Sequence, residues 1–129
     1  MNVPKNLDEA IEYLSVWLGK NSVYGLTENE FACQYHFGLA MQLRNEWGLW
    51  SGESELFKYF QSFGVWHPDD MTSIIFVSFY RDVMGRDRDL VGQTKQFQKY
   101  WEEARKTSNQ TPIKKLNIFQ ILWDKIRGV

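Results

Sequence analysis

At 129 residues the chain is long enough for one hydrophobic core and too short for two comfortable ones, and its 43% hydrophobic and 24% charged residues are the composition of a globular domain. The net charge of −1 carries no overall bias toward a polyanion, and the single cysteine, Cys33, excludes an intramolecular disulfide and a cysteine-based zinc site. No run approaches the roughly 20 apolar residues of a membrane span, and the start "MNVPKNLDEAIEYL" has no basic region leading into an apolar one, so a reducing, cytoplasmic setting is expected.

Apolar spacing follows the helical period throughout. The first segment, "LDEAIEYLSVWLG", sets Leu7, Ile11, Leu14 and Leu18 on one stripe, with Asn6 as cap, Asp8 and Glu9 in the first turn, and Gly19 as stop. "TENEF" is a capping box of Thr27 and Glu30, opening one long helix to Glu46 that turns Phe31, Tyr35, Leu39, Met41 and Leu43 inward and ends at Gly48. "GESELFKYFQSFG" predicts a short third helix with Leu56, Phe57, Phe60 and Phe63 inward.

Pro68 suits the first turn of a fourth helix, with Asp69 and Asp70 complementing its dipole and Met71, Ile74, Ile75, Ser78 and Phe79 on the buried side as far as Gly85. Its "SIIFVSFY" is rich in β-formers, but the 68–85 frame is too long for an average strand. After Asp89, "LVGQTKQFQKYWEEARK" gives a fifth helix burying Leu90, Phe97, Tyr100, Trp101 and Ala104, and "IKKLNIFQILWDKIRG" gives a sixth. The expectation is all-α: a single compact domain of about five to six helices over 1–129.

Six Trp, six Tyr and nine Phe must fill a core or a binding surface. Charge divides along the chain: residues 1–70 hold four Lys/Arg against ten Asp/Glu (−6), residues 71–129 hold eleven against six (+5). Halves that attract each other across the fold, or that present opposite faces, account for this better than a nucleic-acid groove, since no dense basic run occurs and the second half mixes both signs.

Two stretches concentrate recognition chemistry. "RNEWGLW" supplies the planar donor fork of Arg44, the amide of Asn45 and the ring faces of Trp47 and Trp50. "HPDDM" adds His67, Asp69 and Asp70, and capping by Pro68 and the acids does not by itself require the histidine. Arg44 pairing with Asp69 or Asp70, Asn45 capping the helix end and the tryptophans closing the core are the structural alternative to a ligand site. His36 lies eight residues, just over two turns, before Arg44 on the second helix, about 12 Å along it and on the same side, where the two can share a wall of one pocket. No H-x-x-x-H or H-E-x-x-H spacing favours a metal, Cys33 and His36 lack an orienting acid, and no phosphate-binding glycine loop or nucleophile elbow is present. No cofactor is expected.

His36-x-Gly38, "RNEWGLW" and "FQSFGVWHPDDMTSIIF", taken in order, resemble a family of small bacterial and phage proteins carrying a domain of unknown function, over residues 7–101, with a C-terminal helical extension at 107–129 outside it. The resemblance implies no activity; it implies a phage or mobile-element origin and points to Arg44, Asn45, Trp47, Trp50, His67, Asp69 and Asp70. The residues together suggest a non-catalytic binding protein that uses these seven and His36 for an anionic, nucleotide-like ligand, or that inhibits a host defence protein. A protein–protein interaction or immunity module anchored by exposed aromatics is the alternative, and a hydrolase using His67 with Asp69 or Asp70 a second.

Overall fold

A computed structural model describes residues 2–108. They form six helices: α1 (Leu7–Trp17), α2 (Glu28–His36), α3 (Leu39–Glu46), α4 (Glu55–Gln61), α5 (Pro68–Val83) and α6 (Leu90–Ser108), with 3-10 turns at Lys20–Val23 and Leu49–Ser51 and no strand among the described residues. The all-α expectation holds, and "SIIFVSFY" is helical inside α5. The helix expected over 113–128 lies outside the described residues.

Local capping chemistry sets most helix starts. Asn6 Oδ1 accepts the Glu9 N–H at 2.9 Å, and Thr27 and Glu30 exchange reciprocal bonds of 3.2 and 2.9 Å. Ser54 Oγ accepts from Phe57 N–H. At α5 the cap is His67 itself, whose Nδ1 accepts the Asp69 N–H at 3.1 Å. Capping therefore does use the histidine, contrary to the expectation that Pro68 and the acids suffice.

The single helix expected from Thr27 to Glu46 is in fact two, broken at Phe37–Gly38. Gly38 takes φ −109° and ψ −104°, well outside the helical region, and its N–H bonds back to the Tyr35 carbonyl. A residue without Cβ reaches such a conformation at least cost. The break gives α3 its own phase: Leu43 and Arg44 turn inward, while Met41, expected inside, is exposed.

α5 is the axis of the fold and packs against each of the other five helices. Its Met71, Ile74, Ile75, Phe76 and Phe79 are buried, with Phe31 of α2 laid against Phe76, Phe79 and Tyr80. Two ion pairs join the oppositely charged halves: Arg81 grips Glu28 through two nitrogens, and Arg88, which also pairs with Asp82 of its own half, reaches Asp8. Among the described residues no helix is long and apolar enough to cross a membrane.

Candidate functional site

Arg44, in the last turn of α3, is only 3% exposed. A buried guanidinium needs partners for its charge and its donors. Nη1 donates to Thr72 Oγ1 at 2.8 Å and Nη2 to the His36 carbonyl at 3.0 Å. Nε lies 3.0 Å from Asp69 Oδ1, an ion-pair contact whose N–H is not aligned as a hydrogen bond. Of the two acids expected to pair with Arg44, Asp69 does so. The clasp fixes the end of α2, the end of α3 and the start of α5 to one another. Burial, reinforced by the Arg44 charge, pushes the His36 imidazole down to about 4, so the ring is neutral at pH 7.

Above this clasp the start of α5 faces α6. The His67 ring stacks on Trp101 with centroids 5.5 Å apart and planes 12° from parallel, and Trp50 meets the same imidazole edge-on at 5.7 Å. Gly64, Trp66, His67, Gln98, Trp101 and Arg105 line an open cleft of about 450 Å³. Its walls are largely aromatic, and Arg105, in the last turn of α6, supplies a cation. The floor is set by a close approach. Gly64 stands at φ +78°, a Cβ there would come within 2.6 Å of Gln98 Nε2, and that amide donates to the Phe63 carbonyl.

Asp70 lies behind the Trp101 wall, 1% exposed. Its Oδ2 accepts the Trp101 indole N–H at 2.7 Å, while Oδ1 is buried without a hydrogen-bond partner. Burial pushes this carboxyl up to about 7; the Trp101 bond opposes the shift and the neighbouring Asp69 adds to it. Tyr100, on the adjacent position of α6, is pushed up to about 12, by burial first and by Asp70 second.

The eight residues singled out in the sequence thus separate by depth. His36, Arg44, Trp47 and Asp70 are interior, and Trp47 meets Tyr13 edge-on at 5.2 Å. Asn45 is exposed, and the helix-end bond it makes is from its main-chain oxygen, which accepts from Gly48 N–H. Asp69 is partly exposed between Arg44 and His67, its Oδ2 3.6 Å from His67 Nδ1. Trp50, 51% exposed, flanks the cleft, and His67 alone of the eight lines it. Trp66, Gln98 and Arg105 lie outside the sequence expectations, which place Trp101 only in the core. The adjacency of Trp66 to "HPDD" was a usable signal; nothing local announces that α6 crosses over that turn. Among the described residues no group of three His, Cys, Asp or Glu is arranged to hold a metal ion.

The family described as a domain of unknown function, DUF6794, matches residues 3–83, and the chain belongs to it. The matched part runs from before α1 to the end of α5, so the clasp and the cap at His67 lie inside it and α6 lies beyond. No curated protein and no solved structure matches the chain.

Proposed function

We propose that the chain is a non-catalytic binding protein whose seat is the cleft between the start of α5 and α6. The occupant is a planar anionic molecule of the nucleotide class. One observation carries this reading: the parallel His67–Trp101 pair walls a cleft of about 450 Å³ that also holds the Arg105 guanidinium. Aromatic faces stack on a base or similar ring, and a guanidinium answers phosphate, which is the combination a nucleotide needs. In a phage setting, which rests on the family resemblance alone, such a seat serves to sequester a host signal nucleotide, in the cytoplasm of the infected cell.

A protein partner is the second reading, favoured by the exposure of Trp66 (62%) in the cleft lining and of Trp50 against the His67 ring, since interface anchors are typically such rings. The hydrolase reading has less support. His67 Nδ1 accepts the Asp69 N–H, whereas a general-base dyad needs Nδ1–H donated to the carboxylate.

Titration with AMP and ATP, followed calorimetrically and by tryptophan fluorescence with mass analysis of the recovered nucleotide, tests the proposal. Binding with intact nucleotide, weakened by Trp101→Ala and Arg105→Ala, is the expected result. Conversion of the nucleotide would mean an enzyme. The absence of binding at millimolar concentration would overturn the nucleotide reading and favour the protein partner.

A further inference from the structure

We propose that Asp70 is the positioning residue of this cleft: by accepting the Trp101 indole N–H, its carboxylate holds the ring parallel to His67 and makes ligand affinity follow its own ionisation. The inference rests on the cleft being the binding seat.

Geometry carries it. Trp101 reaches Asp70 with its N–H and presents its ring to His67, so one side chain joins a buried carboxylate to an open wall. The bond spans two helices, Asp70 at the start of α5 and Trp101 on α6. Asp70 itself does not line the cleft, and its second oxygen is buried with nothing donating to it. A carboxylate left half-satisfied in the interior is costly to ionise, and burial raises its proton affinity into the neutral range, to about 7.

The groups around Asp70 define which way the coupling runs. Asp69, its neighbour on α5, favours the protonated form; Trp101 on α6 favours the ionised form; and Tyr100 on α6 stays neutral, pushed up to about 12. Arg44 of α3 is committed to Asp69. An ionised acceptor roughly doubles the strength of the indole bond over a neutral one. Acidification through neutrality therefore loosens the Trp101 ring from its place against His67, and the cleft binds less tightly.

The probe is adenosine 3′,5′-cyclic monophosphate, whose phosphodiester keeps one charge across the range. With the full chain, its affinity is expected to fall about fivefold from pH 8 to about pH 5.5, as the indole bond loses its charge assistance. Asp70→Asn keeps an acceptor of the same size and should bind with the wild-type acid affinity at both pH values. His36, pushed down to about 4, stays neutral across this interval in both proteins.

A readout without ligand accompanies it. The Trp101 indole N–H resonance, identified by its loss in Trp101→Phe, should titrate in the wild type with a midpoint close to that of Asp70 and stand still in Asp70→Asn. Trp101→Phe, which keeps a ring and removes the donor, should bind the probe with no Asp70-dependent pH effect, and it serves if Asp70→Asn does not fold. An indole resonance that ignores pH, or affinity that falls equally in wild type and variants, overturns the Asp70 assignment and leaves the cleft intact as a seat. Failure of wild type to bind the probe at either pH, with a titrating indole, overturns the affinity coupling together with the binding reading and leaves only the Asp70–Trp101 contact.

Discussion

Arg44 closes the break between α2 and α3 by donating from Nη2 to the carbonyl oxygen of His36, 3.0 Å away. A helix end leaves carbonyls without intrahelical partners, and a cation there meets the negative end of the dipole. The same guanidinium faces Asp69 in the first turn of α5, where an acid is favoured in its turn. One charge thus answers the ends of two helices.

Removing it should be among the most damaging single changes in the molecule. Arg44→Ala strands Asp69 and frees the His36 carbonyl and the Thr72 hydroxyl, and is expected to cost about 3–5 kcal/mol. Arg44→Lys retains charge without the planar fork and should recover only part of that. Urea denaturation of the three proteins measures both. A wild-type midpoint for Arg44→Ala would mean the guanidinium is not the clasp.

The two displaced titrations oppose each other. His36 has its pKa lowered from 6.5 to about 4, so its contribution to stability is present above pH 6.5 and is lost as pH falls toward 4. Asp70 is raised from 3.8 to about 7, so its contribution is present below pH 3.8 and is lost as pH rises through 7. Each shift corresponds to about 3–4 kcal/mol across its window. Between pH 4 and 6.5 the wild type should therefore show little net slope from this pair. Asp70→Asn should gain stability as pH rises over that interval, and His36→Gln should lose it. Urea midpoints over that range decide the matter; parallel profiles for the two variants would contradict the assignments.

At the floor of the cleft, Gly64→Ala meets two separate penalties. The left-handed backbone at φ +78° costs about 1 kcal/mol for a residue with a Cβ, and the contact with Gln98 adds to it. Gln98→Ala removes the second penalty and not the first. In a double-mutant cycle the two changes should couple by about 0.5–1 kcal/mol, and strict additivity would show that Gln98 does not rest over Gly64.

His67 has two separable jobs. His67→Asn keeps a side-chain acceptor for the α5 start and removes the ring, so stability should stay within about 0.5 kcal/mol while nucleotide binding weakens. His67→Phe keeps a ring for Trp101 and loses the cap, costing about 1 kcal/mol with binding largely retained. Thermal melts beside AMP titrations separate them. Equal loss of binding in both variants would place the imidazole nitrogens, and not the ring face, against the ligand.

What could be read from the sequence was what residues a few positions apart decide. Asn6 and the Thr27–Glu30 box marked the starts of α1 and α2 because a cap is settled within one turn. Arg44 with Asp69 was legible as the best opposite-charge match near one corner. The break at Gly38 was not, because Phe31, Tyr35, Leu39 and Leu43 keep a four-residue spacing straight through it, and spacing reports which face is buried and not whether the axis bends. The cleft was hidden for a different reason. Trp101 meets Asp70 across 31 residues of sequence, and its periodic place on α6 identified it only as an inward-facing ring.

The position of α5 in the chain has a consequence for biosynthesis. The helices α1 to α4 make their principal packing against a helix that ends at Val83, so a nascent chain has little with which to build a shared core until that residue has left the ribosome. Until then the emerged part also carries the acidic excess of residues 1–70, which Arg81 and Arg88 later answer at Glu28 and Asp8. Tertiary structure should accordingly arise late and in one step during translation, and faster at raised ionic strength, where repulsion within the waiting segment is screened.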